Sequence, residues 1–311
     1  MNTIYISMGD PRGIGPEIIF KALKGLPKSH KNKTFVIVGD KETLKGPARK
    51  YEIEIREYNS EQLKDGGIFF VPVNSCGHPG KDSLNYIKRT VELTRRQPHA
   101  AMVTAPVEKK IVSEVEKDFV GHTEYIKKLT GAANCEMVFI TEKIKISLLT
   151  RHIPLKEVNK NITSLRIVEH VKFLNKELKG KFGYKHPRFL IIGLNPHAGD
   201  EGLVGNEENE IYRPAVKELK RAGIIVGDII SAEAALRKQS IENYDFIVSS
   251  YHDQILPAIK TAFKPTVNLT LGLEFIRTSP DHGPAIDIAG KDIADSESMA
   301  AAIKLAGNLT G

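Results

Sequence analysis

The chain has 311 residues, with 45 Lys+Arg against 38 Asp+Glu, which gives a formal charge of +7. Its apolar share of 41% and charged share of 27% suit a globular protein and argue against a largely disordered chain. Only Cys76 and Cys135 are present, which excludes a disulfide scaffold and removes the usual basis for a thiolate metal site.

No apolar run reaches the roughly 18–20 residues that a membrane helix needs. The opening MNTIYISMGD has no basic leader followed by an apolar stretch, so a cytoplasmic address and no membrane partner are expected. The basic surplus raises nucleic acid as a partner. The Lys-rich stretches KKL, KELKGK and KELKR are instead scattered along helix faces with no nucleic-acid-binding motif, which argues against it.

The predicted elements begin with a strand at Ile4–Met8, a helix at Pro16–Leu26 and strands at Thr34–Val38 and Ile68–Val73. A helix at Leu84–Arg96 follows, then strands at Ala100–Thr104, Met137–Thr141 and Ile144–Leu149. A helix at Ile162–Leu178, a strand at Phe189–Leu194 and a helix at Glu207–Ala222 come next. Strands at Phe246–Ser249 and Val267–Leu271 and a helix at Glu297–Leu305 complete the series. Several strands are continuous Val/Ile/Leu runs, as expected when both faces are covered by helices. Alternation of the two element types predicts an α/β architecture with a largely parallel or mixed sheet. A break between subdomains is expected near Gly131–Asn134.

Polar residues with chemical potential concentrate where strands end, the edge at which open α/β sheets hold ligands. The first strand runs into GDPRGIGPE, Gly9 to Glu17, where Gly13 and Gly15 allow close backbone approach and Pro16 and Glu17 suit a helix start. This is neither a dinucleotide fingerprint nor a P-loop. A phosphate-holding turn and a plain tight turn are equally compatible with it.

Three of the ten histidines each follow a strand: His152 in TRHIPL, His197 in NPHAGDEG and His252 in YHDQILP. Each alone reads best as a loop residue, but together they can form a divalent-metal set at one sheet edge. Asp253 adds a carboxylate beside His252, either as a general base or ligand-orienting group or as a turn residue. His122 and Thr123 in VGHTEY stand at a predicted helix start capped by Gly121, fit for an anion contact or for capping alone. Lys260, Asn268 and Arg277 flank the run VNLTLGLEF, and SPDHGPAIDIAG adds Asp281 and His282. This set suits a phosphate or carboxylate, or is an ordinary basic segment.

In order along the chain, GDPRGIGPE, TAPVEK, GHTEY, TRHIPL, LNPHAGDEG, YHDQILPAIK and VNLTLGLEFIRTSPDHG resemble the 4-hydroxythreonine-4-phosphate dehydrogenase family of pyridoxal-phosphate biosynthesis. The resemblance spans nearly the whole chain. It implies a three-layer αβα fold like that of isocitrate and isopropylmalate dehydrogenases rather than a Rossmann domain. Two lobes with a cleft are expected, approximately 1–131 plus 285–311 and a dimerising lobe 132–284, in a homodimer with its active site at the subunit interface. By motif, the resemblance implies His152, His197 and His252 as metal ligands. It implies His122, Thr123, Lys260, Asn268 and Arg277 as substrate contacts.

The implied reaction is a metal-dependent oxidative decarboxylation of 4-phosphohydroxy-L-threonine to 3-amino-2-oxopropyl phosphate and CO2. It would use NAD or NADP and a divalent ion (Zn, Mg or Co), with Asp253 in an acid/base or orienting role. One segment departs from the family pattern: GDIISAEAALRKQ, Gly227 to Gln239, has Asp228 where the family has proline and lacks its Asp-Thr. Glu233 is the candidate replacement for the missing carboxylate. That departure keeps a second substrate class open, the D-erythronate or D-threonate 4-phosphates.

Overall fold

The computed structural model describes residues 2–30, 32–59 and 66–310. Its strands are β1 Thr3–Ser7, β2 Thr34–Gly39, β3 Arg56–Glu57, β4 Gly67–Pro72, β5 Ala101–Thr104 and β6 Glu136–Ile140. They continue with β7 Lys145–Leu148, β8 Arg188–Ile191, β9 Ile225–Val226, β10 Phe246–Ser249, β11 Val267–Leu271 and β12 Ile276–Pro280. The helices are α1 Gly15–Lys24, α2 Lys41–Lys50, α3 Pro79–Arg96, α4 Lys109–Ser113, α5 His122–Thr130 and α6 Leu155–Asn161. After them come α7 Ser164–Lys181, α8 Arg213–Arg221, α9 Ala232–Ala235, α10 Lys238–Asn243, α11 Leu256–Ala262 and α12 Glu297–Leu309. Among the described residues, no helix is long and apolar enough to cross a membrane.

The chain forms two compact units, 1–136 with 265–311, and 137–264. The second unit stops short of the 284 expected from the sequence. The cause is β12, which pairs in parallel with β5 and takes its hairpin partner β11 into the first unit.

In the first unit the strand order is β3-β4-β2-β1-β5-β12-β11, parallel except for β11. It leaves the Rossmann order after β5, where the last strand of the chain is inserted. Register sorts the side chains into two layers. Tyr5, Met102 and Arg277 are paired neighbours and so share a face. Met102 packs there with Leu84, Ile87 and Val91 of α3 and with Tyr125 and Ile126 of α5. The alternate residues Ile6, Val103 and Thr278 face the other way, where the Thr278 hydroxyl donates to the carbonyl of Ala302 in α12. A sheet covered on both faces by helices explains why its strands are unbroken apolar runs.

The second unit repeats the plan in the order β6-β7-β10-β8-β9, with only β6 antiparallel. Ile146, Leu190 and Ile247 pack with Ile255, Leu256 and Ile259 at α11 on one face. On the other face, Ser147 meets His170 of α7 at 3.0 Å. Both units are therefore three-layer α/β.

The glycine-rich turn after β1 has a packing role. A Cβ on Gly15 would lie 2.3 Å from the Met8 carbonyl oxygen, and one on Gly9, at φ +80°, 2.3 Å from that of Pro106. Its amides are engaged internally: Asp10 donates to Pro106, Gly13 to Asp10 and Ile14 to Pro284. Asp10 also holds Arg12 through two side-chain bonds. Of the two readings left open by the sequence, the tight turn accounts for these bonds.

Candidate functional site

Arg277 is the most unusual side chain of the first unit. It lies inside β12, only 2% exposed, and not in the ordinary basic segment that was the alternative to an anion contact. Its Nη2 donates to Thr104 Oγ1, and its Nη1 to Thr270 Oγ1 at 3.0 Å and Thr123 Oγ1 at 3.5 Å. Three hydroxyls orient the guanidinium and none neutralises it. Among the described residues no carboxylate forms an ion pair with it, and its Nε is enclosed without a hydrogen-bond partner. Burial lowers its pKa from the usual 12.5 to about 10, with Glu124 opposing weakly. It remains a cation at neutral pH. A desolvated cation held in place and left unpaired is a site prepared for an anion.

Thr123 and His122 open α5 behind Gly121, whose extended backbone (φ 171°) caps the helix as expected. Thr123 is buried and touches Arg277. His122 is half-buried, with its Nε2 enclosed and without a partner. Burial first, then the charges of Arg277 and Lys109, push its pKa well below 6.5. It is therefore a neutral imidazole in the folded chain. The unfolded chain takes up a proton below pH 6.5 that the folded one refuses, so this residue makes stability fall as pH drops through that range. His122→Gln is expected to flatten the acid limb of the stability–pH curve by about 1.4 kcal/mol per pH unit below pH 6. Denaturant unfolding at pH 5–7 checks this; parallel curves for variant and wild type would refute it.

Asn268 lies in β11, half-buried, and donates to Asp281 Oδ1 at 3.1 Å while its own Oδ1 is enclosed without a partner. The sequence grouped Lys260 with Asn268 and Arg277. The structure places Lys260 in α11 of the second unit, its Nζ 5.6 Å from the centre of the Phe139 ring.

In the second unit the histidines follow from the topology. Parallel strands β7, β10 and β8 are neighbours, so their C-terminal ends share one edge. Gln254 laces that edge: its Oε1 accepts from the Ser250 amide at 2.8 Å, and its Nε2 donates to the Gly193 carbonyl at 2.6 Å. Thr150 is bonded to Ser250 by both amide and hydroxyl. This lacing brings His152 and His252 together, with ring centres 5.7 Å apart. The Nδ1 of His252 lies 2.5 Å from Asp253 Oδ1. A neutral His252 that donates its Nδ1–H to this carboxylate keeps the Nε2 lone pair available, the arrangement in which a carboxylate orients a metal-ligating histidine.

His197 sits on a backbone the sequence did not announce. Residues 197–201 all have positive φ (54°, 56°, 82°, 43° and 57°), forming a single left-handed turn. Four of the five are not glycine, and each costs about 1–2 kcal/mol in that conformation. Among the described residues, no three His, Cys, Asp or Glu side chains of the single chain come close enough to hold a metal ion. His197 is exposed, and only the His152–His252 pair is brought together within the unit.

The altered segment 227–239 packs Ile230, Ala232, Ala235 and Leu236 against the core of the second unit but turns its two carboxylates outward. Asp228 pairs with Lys220 and Glu233 with Arg237, with side-chain exposures of 91% and 79% for the two carboxylates. Sequence reading missed Thr104 and Thr270 as holders of Arg277, and Asn195, Glu207 and Glu208 beneath the left-handed turn. An acidic residue on the apolar face of the run from Glu207 to Ala222 was the available signal for the last of these.

The profile of the family described as "Pyridoxal phosphate biosynthetic protein PdxA" matches residues 31–306. A 4-hydroxythreonine-4-phosphate dehydrogenase of Sulfurihydrogenibium sp. (strain YO3AOP1) is 39% identical, over 98% of this chain and 98% of its own. One from Aquifex aeolicus (strain VF5) is 37% identical, over 97% and 96%. The crystal structure of 4-hydroxythreonine-4-phosphate dehydrogenase from Klebsiella pneumoniae superposes with a TM-score of 0.87 at 34% identity. That match covers 99% of this chain and 98% of the other.

Proposed function

The chain belongs to the family of the pyridoxal phosphate biosynthetic protein PdxA, and on that premise we propose that it is a 4-hydroxythreonine-4-phosphate dehydrogenase. It oxidises and decarboxylates 4-phosphohydroxy-L-threonine to 3-amino-2-oxopropyl phosphate and CO2, with NAD or NADP as hydride acceptor. The observation that carries this reading is Arg277, a buried guanidinium oriented by three threonine hydroxyls and unpaired with any described carboxylate. Such a group recognises phosphate or carboxylate, and the substrate carries both.

His122 and Thr123 extend this anion site with a neutral imidazole and a hydroxyl, and Lys260 and Asn268 are the remaining substrate contacts. His152, His197 and His252 are the metal ligands. The donor set fits a divalent ion: two imidazoles lie side by side, and Asp253 fixes the tautomer of one. When bound, the ion (Zn, Mg or Co) polarises the substrate alcohol and the carbonyl formed from it. Asp253 orients His252 and is the candidate for exchanging a proton with the substrate alcohol.

Among the described residues of the single chain no three ligands come together, which supports a homodimer whose second copy completes the site. Exposed apolar side chains support the same reading. Leu155, Leu165 and Leu203 are 70%, 64% and 90% exposed, and Asn159 ties α6 to the loop after Leu203 by donating to Glu207.

The test combines the purified chain with a divalent ion, NAD+ or NADP+, and 4-phosphohydroxy-L-threonine. Reduced nicotinamide is expected to appear at 340 nm together with CO2. A second reading rests on the outward-turned carboxylates of Asp228 and Glu233 in the 227–239 segment, which leave the family's acidic substrate contact without a replacement. Under it, D-erythronate or D-threonate 4-phosphate is turned over and the amino acid is not. Inertness toward all three would refute both.

A further inference from the structure

We propose that Glu208 is the positioning residue that fixes His197, by holding the left-handed turn on which that histidine stands. This rests on the reading of His197 as a metal ligand, and it assigns a role to a residue outside the metal and substrate sets.

Glu208 is 2% exposed, and among the described residues no cation forms an ion pair with it. Its carboxylate accepts from the Asn195 amide at 2.8 Å and from Asn195 Nδ2 at 2.9 Å. The chain is moulded around it: a Cβ on Gly199 would lie 2.6 Å from Oε2, and one on Gly193 2.9 Å from Oε1. Asn195 caps the segment Pro196–Gly202 that contains the turn, and its carbonyl accepts from Ala198 inside it. Glu207 reinforces the same anchor, accepting from Asn195 Nδ2 at 2.7 Å.

The backbone here is a π-helical segment, Glu208–Tyr212, a rare geometry that re-aims side chains at functional sites. Its far end carries Tyr212, fully buried, whose hydroxyl meets Ser250 Oγ at 2.7 Å. Ser250 lies two residues before His252. One five-residue segment thus braces the turn bearing His197 at one end and the strand end bearing His252 at the other. A strained turn keeps its shape only where the surroundings over-determine it. The Glu208–Asn195 bridge is that determinant.

Glu208→Gln keeps the shape and removes the charge, while Asn195→Ala removes the bridge from the other side and serves if the first variant fails to fold. Two readouts are needed on the full chain. Amide hydrogen exchange across residues 196–204 is expected to accelerate at least about tenfold, with β10 and α7 unchanged. Zn2+ affinity by titration calorimetry is expected to fall about 10- to 100-fold, the usual effect of removing an outer support of a ligand. Unchanged exchange in the turn in both variants overturns the positioning role, as does Zn2+ affinity equal to wild type. His197→Ala separates the two readings. If it binds Zn2+ as tightly as wild type, the ligand reading fails and the proposal with it, whatever the exchange shows. If it loses Zn2+ while the Glu208 and Asn195 variants keep it, the ligand reading stands and only the positioning role fails.

Discussion

Arg277→Met is expected to leave the ligand-free chain at least as stable as wild type while abolishing its stabilisation by inorganic phosphate or substrate. The guanidinium is enclosed in β12 with threonine hydroxyls and no ion-pair partner, and burial alone lowers its pKa to about 10. A shift of that size corresponds to a burial cost on the order of 3 kcal/mol. Exchanging buried ionic groups for apolar ones of similar volume is often neutral or stabilising by about 1–4 kcal/mol. Part of that gain is offset by Thr104, Thr123 and Thr270, whose hydroxyls each lose a donor.

Binding goes the other way. Charge-assisted bonds to an anion contribute about 1.5–3 kcal/mol each, so losing two lowers affinity on the order of 10²–10⁴-fold. Thermal unfolding with and without phosphate, read beside kcat/KM, checks both halves. A variant that unfolds several degrees earlier and is still protected by phosphate would show that Arg277 is a structural cation.

The second large effect concerns the histidine pair. Removing the divalent ion by exhaustive chelation, or either ring by His152→Ala or His252→Ala, is expected to lower kcat/KM on the order of 10³-fold or more. The lost Lewis acid contributes several kcal/mol to the barrier, and each tenfold in rate corresponds to about 1.4 kcal/mol. Asp253→Asn removes the carboxylate that fixes the His252 tautomer but leaves both rings, so a smaller loss of about 10- to 100-fold is expected. The order of the losses is diagnostic. If Asp253→Asn is as damaging as His252→Ala and also flattens the pH–rate profile, Asp253 is the general base rather than the orienting group. If activity survives chelation, the metal role is lost altogether.

These expectations draw unequally on what the amino-acid order reveals. The strands buried on both faces were legible because they are predominantly apolar runs, as in IYIS, TFVIVG and FIVS. β12 was not. Its IRTSP carries a cation, two hydroxyls and a proline, and becomes strand only because β5 and β11 flank it. That tertiary override also hid the burial of Arg277: the sequence offered it as an anion contact, but not as a guanidinium enclosed in a strand. Strand-end placement of His152 and His252 was readable from the runs before them, and their proximity follows from β7 and β10 being neighbours.

The left-handed turn at His197 had no such signal. Its conformation is imposed by Glu208 through Asn195, partners 13 residues apart; an acid on an apolar helix face marks Glu208 as unusual, but nothing local ties it to Asn195 or to a left-handed turn. The unit boundary moved for the same reason as β12, because pairing between distant segments leaves no mark on composition.

The insertion of β12 beside β5 also has a consequence for how the chain is made. Residues 137–264 are contiguous, so that unit has all of its strands and helices as soon as its last residue emerges from the ribosome. The first unit cannot close in the same way. Its central neighbour of β5, and the α12 that covers one face, are contributed by residues 276–309, which begin 172 positions after the end of β5 (276 − 104). Closing so long a loop is slow, and until it closes β5 exposes an unpaired apolar edge. Synthesis order and completion order are therefore inverted: the segment translated first finishes last. A chain cut after 264 would keep its second unit's sequence whole while its first unit waited on strands that never arrive.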